Sequence, residues 1–160
     1  MTVIVGIDPG GRSTGIVVRD GASLLYHDVV ERSKGETMGE YLVRVCDGVK
    51  SAKYQSLRSG SMRAFAPPYA VEDLNDPNPH MGIVNLRGLI DTAQVLGVIL
   101  HVHPSAIVVP PGRHGSAPLK SYPAELVGAR EAKGTGRLRH CRSAWDIASV
   151  GLTLHKWGQS

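Results

Sequence analysis

The sequence predicts an α/β domain in which one mixed β-sheet is flanked by helices. Three apolar, β-rich runs with turn residues between them stand at the start of the chain and predict an antiparallel meander. Two short apolar runs follow, and segments of helical periodicity alternate with them. An order of three meander strands, helix, strand, helix, strand and helix implies a five-stranded sheet, with two strands added in parallel and helices on its faces.

The meander ends its first strand with a single carboxylate. Its three strands are predicted over residues 3–7, 14–18 and 22–30. Residues 9–11, Pro-Gly-Gly, stop the first strand because no regular strand tolerates them well. Asp20 and Gly21 form a hairpin signal before the third strand. Asp8 therefore lies just past a buried strand, where a charge is costly unless it is paired or binds a metal.

The rest of the chain alternates helices with short strands. Apolar spacing predicts helices over residues 37–57, from near 80 to before 104, and over 142–157, with strands over 69–71 and 106–109. Residues 110–136 are predicted as a basic loop with one helical turn started by Pro123. The sequence contains no internal repeat and no linker between domains, so residues 1–160 are predicted to form one domain.

Composition excludes several classes of protein. The chain has 160 residues, of which 42% are hydrophobic and 20% charged, as in soluble globular domains. No apolar window is long enough to span a membrane, and residues 3–7 are too short for a signal peptide. Cys46 and Cys141 are far apart and lack metal-ligand spacing, which predicts reduced thiols and a cytoplasmic protein. The net charge of +4 permits a polyanionic partner such as DNA.

Three acidic residues are predicted to converge at one edge of the sheet. Asp8 and Glu72 each follow an apolar strand, and Asp146 lies in the first half of the last helix. Converging carboxylates repel one another, and divalent cations relieve that repulsion. Oxygen ligands favour Mg²⁺ or Mn²⁺, and two such ions about 4 Å apart can drive phosphodiester hydrolysis. The alternative is that Asp8 only caps the turn by accepting from the amides of Gly10 or Gly11.

Three segments carry a resemblance to a known family. VGIDPGGRSTGIVV, YAVEDLN and RSAWDIASVGLTLH resemble, in order and spacing, the three motifs of the RuvC family of Holliday-junction resolvases, which have the RNase H-like fold. The resemblance implies that Asp8, Glu72 and Asp146 are catalytic metal ligands, with Asp8 bridging two Mg²⁺ or Mn²⁺ ions. It also implies hydrolysis that leaves a 5′-phosphate, four-way junction DNA as substrate, and a homodimer formed through the second helix. The short chain is typical of a bacteriophage-type member acting in a bacterial cytoplasm.

The chain departs from the family pattern at two places. Ser143 stands where the family usually has an acidic residue or His, one turn before the final Asp. Ser143 is predicted to contact the metal through a bound water, and Asp73 or His140 are the other candidates for this ligand. The family often places an aromatic wedge shortly after the Glu. Here the candidates for that wedge are Leu74, Phe65 and Tyr69.

Basic residues crowd the region before the last helix. The predicted DNA-binding residues are Arg113, Lys120, Arg130, Lys133, Arg137, Arg139 and Arg142. Such a run is often only a solvated face, but its position beside Asp146 favours contacts to phosphates. Asp91, on the second helix, has no partner in the sequence pattern and is expected to be a surface charge.

Two other classes of function remain open at this stage. The first is a junction-binding protein with weak or no catalysis, which the Ser at position 143 suggests. The second is an actin-like or sugar-kinase-type nucleotide-binding protein, because Asp-x-Gly followed by Thr-Gly also binds nucleotide phosphates there. Those proteins are much longer and carry a second lobe and an adenosine motif, which this sequence lacks.

Overall fold

The structure is a computed structural model that describes residues 2–58, 67–74, 86–132 and 136–157. One mixed five-stranded sheet forms the centre of the described part of the protein. The strands are β1 (Val3–Asp8), β2 (Ser13–Asp20), β3 (Ser23–Glu31), β4 (Tyr69–Glu72) and β5 (Ile107–Val109), in the order β3-β2-β1-β4-β5. The first three pair antiparallel, whereas β4 runs parallel to β1 and β5 parallel to β4. The predicted sheet is therefore confirmed. Gly21 turns the β2–β3 hairpin with a φ of 57°, which glycine adopts without strain.

The described residues form four helices beside the sheet: α1 (Met38–Arg58), α2 (Leu86–Val102), α3 (Ala129–Ala132) and α4 (Arg139–Trp157). α1 lies within one residue of its predicted bounds. The part of the predicted second helix before residue 86 lies outside the described residues. The predicted basic loop contains two short 3₁₀ turns, Leu119–Ser121 and Ala124–Leu126, besides α3. α4 begins three residues earlier than predicted, so that His140 is part of the helix.

The two faces of the sheet pack against different helices. Alternate residues of β1 point to opposite faces, as the pleat requires. Val5 and Ile7 join a core with α1 and α2, whereas Ile4 packs with Ala148 of α4. Both faces are covered, which explains why β1 is a continuous apolar run that is buried up to Asp8. α1 and α2 therefore lie on one side of the strand that carries Asp8, and α4 lies on the other.

α4 lies unusually close to the sheet because small residues face each other. A Cβ added to Gly6 would lie 2.1 Å from the carbonyl oxygen of Ala144, and one added to Gly15 would lie 2.2 Å from that of His140. Neither position can hold a side chain unless the backbone moves. The Thr14-Gly15 pair of the first motif thus has a structural role, since it admits the first turn of α4 next to Asp8.

The N-terminus of α1 is fixed by a capping box. The Thr37 amide donates to Glu40 Oε2 at 2.9 Å, and the Glu40 amide donates to Thr37 Oγ1 at 3.3 Å. These reciprocal bonds begin α1 one residue after the predicted start. Among the described residues, no helix is both long enough and apolar enough to cross a membrane.

Candidate active site

The carboxylates of Asp8 and Glu72 meet at one edge of the sheet. β1 and β4 are parallel neighbours with Ile7 opposite Val71, so the residues that follow lie level with each other. The Glu72 side chain lies near enough to Asp8 for the two charges to interact, and its Oε1 accepts the Gly112 amide at 3.1 Å. Both side chains are largely buried, with exposed fractions of 14% for Asp8 and 15% for Glu72.

This environment favours a protonated Glu72. Burial is the main cause that raises the pKa of Glu72, and the negative charge of Asp8 acts in the same direction. The Gly112 amide and the His114 ring oppose the shift. Neighbouring carboxylates repel each other, and a divalent cation relieves that repulsion. A perturbed acid in a paired, half-buried position is typical of a functional site.

Asp8 does not cap its own turn. The Gly10 amide donates to Thr14 Oγ1 at 3.5 Å, and the Gly11 amide donates to Thr92 Oγ1 at 3.2 Å. On the other side of the loop, the buried Tyr41 hydroxyl donates to the Gly10 carbonyl at 2.9 Å. Other side chains therefore satisfy the turn, and the capping interpretation of Asp8 has no support. The Asp8 carboxylate is left to face Glu72 and α4.

An imidazole flanks each carboxylate. His140 Nδ1 lies 2.9 Å from Asp8 Oδ2, which is a hydrogen bond. His114 Nε2 lies 3.7 Å from Glu72 Oε1, which is an ion-pair distance when the ring is protonated. His140 reaches Asp8 because α4 starts at Arg139 and its first turn lies on Gly15. Extending the stripe of small residues in α4 back from Gly151 through Ala148 and Ala144 to Cys141 would have predicted this earlier start.

Asp146 makes its contacts away from this pair. Its Oδ2 accepts the Gly115 amide at 2.8 Å and the Tyr122 hydroxyl at 2.8 Å. Burial, followed by this hydrogen bond, raises the pKa of Tyr122 to about 12. Ser143 is buried, and a Cβ on Gly115 would lie 2.9 Å from its amide nitrogen. The structure thus unites Asp8 and Glu72 with His140, and it ties Asp146 to the segment after β5.

The donor chemistry at the sheet edge fits a hard or intermediate divalent cation. Asp8 and Glu72 offer the carboxylate oxygens that Mg²⁺ and Mn²⁺ prefer, whereas the imidazole nitrogen of His140 is a ligand more typical of transition metals such as Zn²⁺. Within the described residues, no three His, Cys, Asp or Glu side chains already surround one point as a finished metal site. A cation at this edge therefore requires side-chain adjustment, and the predicted three-carboxylate site stays a prediction.

Most of the predicted basic residues lie on the surface. Arg113, Lys120, Arg130, Arg137 and Arg139 are exposed. Arg137 also pairs with Glu31 at 3.6 Å. The segment that carries Arg113 is attached to the site, because the Gly112 amide binds Glu72. Lys133 and the wedge candidate Phe65 lie outside the described residues.

The prediction that Arg142 contacts DNA phosphates is wrong. Arg142 is buried, with an exposed fraction of 6%, and it donates to Glu131 Oε2 at 2.6 Å and to the Leu126 carbonyl at 3.1 Å. A basic residue on a helix can point toward the core as well as toward solvent. The sequence did not indicate that Glu131 is the acidic partner of Arg142. Arg142 instead fastens α3 to α4.

Two further expectations are corrected by burial and pairing. Tyr69 is buried and stacks on His103 with ring centroids 3.9 Å apart, so it is not available as a wedge. Leu74 is partly buried and packs against the core. Asp91 is not an unpartnered surface charge, since Arg32 Nη1 lies 3.1 Å and Arg87 Nε 3.6 Å from its carboxylate.

Comparison with known proteins finds similarity in structure. No protein-family model matches the chain, and no curated protein matches it significantly. The structure of Thermus thermophilus RuvC matches with a TM-score of 0.62 and 21% identity, over 98% of this chain and 97% of that one. T. thermophilus RuvC in complex with a Holliday junction substrate matches with a TM-score of 0.55 and 21% identity, over 92% of this chain and 91% of that one. The fold of this chain is therefore similar to that of RuvC.

Proposed function

We propose that this protein is a divalent-metal-dependent endonuclease that cleaves branched DNA, with four-way Holliday junctions as its substrate. The observation that carries the proposal is the half-buried Asp8–Glu72 pair, with His140 on Asp8, at the edge of a RuvC-like sheet. Such a pair is costly in a purely structural role. The solved RuvC complex with a Holliday junction supports the choice of substrate.

In this proposal Asp8, Glu72 and His140 hold the cation, and Asp146 joins them as the ligand that the sequence predicted. A bound Mg²⁺ or Mn²⁺ would stabilise charge on the phosphodiester and lower the pKa of an attacking water. Burial raises the pKa of Glu72, and a cation bound beside it would favour its charged form. His140 holds the Asp8 carboxylate in place through its Nδ1 contact. The strand is cut with the 3′ oxygen leaving, which produces a 5′-phosphate.

The exposed basic residues form the DNA surface of the proposal. Arg113, on the segment attached to Glu72 through Gly112, lies beside the site. Lys120, Arg130 and Arg137 extend the surface along the segment between β5 and α4, and Arg139 continues it as the first residue of α4. Phosphate contacts of this kind position DNA without reading its sequence. They place a bent or branched backbone against the carboxylates.

Two cuts in one junction require two active sites, and a C2 homodimer provides them. α2 offers an apolar stripe for this contact, formed by Leu86, Ile90 and Gly97. Leu86 and Ile90 have exposed fractions of 59% and 47%, and a Cβ on Gly97 would meet nothing within 4 Å. Two copies of α2 can approach closely at Gly97 while their apolar side chains become buried.

A second candidate function is junction binding with weak or no cleavage. The observation that favours it is that Asp146 already accepts hydrogen bonds from the Gly115 amide and the Tyr122 hydroxyl, so that its carboxylate has partners without a cation. This function requires the basic surface and the dimer but no cation. Cleavage assays separate the two candidates.

The test compares wild type with Asp8→Asn on labelled synthetic four-way junctions and on duplex controls, in Mg²⁺ and in Mn²⁺. Wild type should cut the junction, and Asp8→Asn should abolish cutting while keeping or improving junction binding, because it removes a charge that repels phosphate. Calorimetric Mn²⁺ binding should be lost in the same variant. Asp47→Asn is the matched control, since Asp47 lies on the exposed face of α1 with 63% of its side chain accessible.

Metal-dependent cutting that survives in Asp8→Asn would refute the carboxylate site. Wild-type protein that binds junctions but cuts them in neither metal would instead establish the second candidate. Equal behaviour of Asp47→Asn and wild type is required before either conclusion.

A further inference from the structure

A pocket lies next to the Asp8–Glu72 pair, between the loop after β1 and the first turns of α2. Its volume is about 400 Å³, and its walls include Gly10, Gly11, Arg12, Arg87, Asp91 and His140. This size falls within the range of small-molecule sites, about 300–1,000 Å³, and exceeds what a lone phosphate needs. The pocket is separate from the basic segment between β5 and α4.

The walls of the pocket are fixed by packing and hydrogen bonds. The Gly11 amide donates to Thr92 Oγ1 at 3.2 Å, which fastens the loop to α2. A Cβ on Gly11 would lie 2.4 Å from Cβ of Asp91, so loop and helix are in direct contact there. Asp91 is held in turn by Arg32 at 3.1 Å. The pocket is therefore preformed, with backbone of a glycine-rich loop as one wall.

His140 connects the pocket to the active site. It lines the pocket, and its Nδ1 lies 2.9 Å from Asp8 Oδ2. A group bound in the pocket consequently lies one side chain away from the carboxylates. If the group in the pocket is part of the DNA substrate, it would lie next to the phosphodiester bond that is cleaved.

The charges at the pocket favour an anionic occupant. Arg12 is exposed, and the Arg87 side chain has an exposed fraction of 84%. Asp91 is the acidic residue of the lining, and Arg32 pairs with it from behind. Arg87 also approaches Asp91 through its Nε at 3.6 Å, so the lining carries two arginines against one carboxylate that Arg32 already pairs with. The two guanidinium groups at the rim can form strong charge-assisted hydrogen bonds with phosphate.

We infer that this pocket is a nucleotide subsite, which receives the deoxynucleotide next to the cleaved phosphodiester and holds its phosphate with Arg12 and Arg87. This inference rests on the proposed function. The volume admits the base and sugar against the Gly10-Gly11 backbone, while the arginines remain at the rim. Moving a base into a pocket costs unstacking energy, which is smallest for a base that is not held in a continuous paired stack. The subsite therefore adds a preference for branched DNA to the sequence-independent grip of the basic segment.

The first experiment places a single abasic nucleotide at each position that flanks the cut in a synthetic junction. Wild-type cleavage should fall by about tenfold at one of these positions, because the abasic sugar-phosphate lacks the base that the pocket receives. The double variant Arg12→Gln/Arg87→Gln should cleave the normal junction more slowly and should show a smaller abasic penalty, because a nucleotide whose phosphate is no longer held enters the pocket less and its base contributes less. Its binding should also lose about two units of salt slope. Lys50→Gln, on the exposed face of α1, is the matched control and should keep the full penalty.

The second experiment is independent of cleavage. A single-stranded tetradeoxynucleotide is titrated in Ca²⁺ while the amide signals of Gly10, Gly11 and Gly88 are followed by NMR. These signals should shift in wild type and stay unchanged in the double variant. Junction cutting without an abasic penalty, or without these shifts, would overturn the subsite and leave the nuclease proposal standing. Shifts in a protein that cuts no junction would support the subsite and refute the nuclease.

Discussion

Replacement of Gly15 by Ala tests the packing that brings His140 to Asp8. Gly15 lies on β2 beneath the first turn of α4, and a Cβ there would lie 2.2 Å from the His140 carbonyl oxygen and 2.9 Å from the Cys141 amide nitrogen. Both atoms belong to the backbone, which cannot rotate away as a side chain can. The carbonyl contact is more than 1 Å short of the roughly 3.5 Å at which heavy atoms pack.

α4 must therefore lift by about 1 Å at its N-terminus, or β2 must bend. Overpacking of this kind costs about 1–3 kcal/mol, which in a chain of this size lowers the Tm by roughly 2–12 °C. The 2.9 Å contact between His140 Nδ1 and Asp8 Oδ2 would lengthen beyond hydrogen-bond range. A displacement of about 1 Å at an active site can reduce catalysis about 100-fold.

The assay pairs thermal unfolding with single-turnover junction cleavage in Mn²⁺ at 25 °C. Gly48→Ala is the control, because its new Cβ would lie 2.9 Å from Ile16 Cδ1 and 3.0 Å from Val30 Cγ2, on the opposite face of the sheet from α4. Gly48→Ala should lower the Tm and keep cleavage, whereas Gly15→Ala should lower both. Wild-type Tm and cleavage in Gly15→Ala would show that α4 does not lie on Gly15.

Three further predictions concern charge and assembly. Glu131→Ala should reduce the free energy of unfolding by about 3–5 kcal/mol in urea denaturation, because it leaves the buried Arg142 without its partner at 2.6 Å, whereas Glu131→Leu/Arg142→Met should recover most of that loss. Glu72→Gln should raise the Tm in EDTA at pH 7. The fold raises the pKa of Glu72, so the wild-type protein loses stability as pH rises through that pKa. The Tm values of wild type and variant should therefore converge at low pH, where Glu72 is protonated. Ile90→Arg should give a monomer in sedimentation velocity that nicks junctions without paired cuts, and an unchanged dimer would contradict the role of α2.

The fold was predictable because its signals are local. The Pro-Gly-Gly stop after Asp8, the Asp20-Gly21 turn and the capping pair Thr37 and Glu40 each act within a few residues. Parallel neighbours then follow from the order of strands and helices, and this order brings Asp8 and Glu72 to the same edge. Fold and carboxylate pair could therefore be predicted without tertiary information.

The remaining parts depend on long-range packing that has no local signal. His140 reaches Asp8 only because Gly15, which lies 125 positions before it in the chain, lets α4 approach the sheet. Arg142 is buried because it pairs with Glu131. Several other arginines and lysines lie near it in the sequence, and the sequence does not indicate which of them is buried. The direction of Asp146 depends on the loop that presents Gly115 and Tyr122. A sequence pattern places residues on a helix, but it does not say how that helix is rotated against the sheet.

The separation of charge at the site explains why binding and cutting should respond differently to a cation. The carboxylates of Asp8 and Glu72 are mostly buried at the sheet edge, whereas Arg113 and Arg139 are exposed beside it. The exposed cations attract DNA whether or not the carboxylates are neutralised. In the proposed nuclease, the phosphodiester approaches the buried carboxylates, and their charge would repel it unless a divalent cation lay between them. Neutralising Asp8 should therefore strengthen binding and abolish cleavage, and loss of both together would indicate a purely structural role for Asp8.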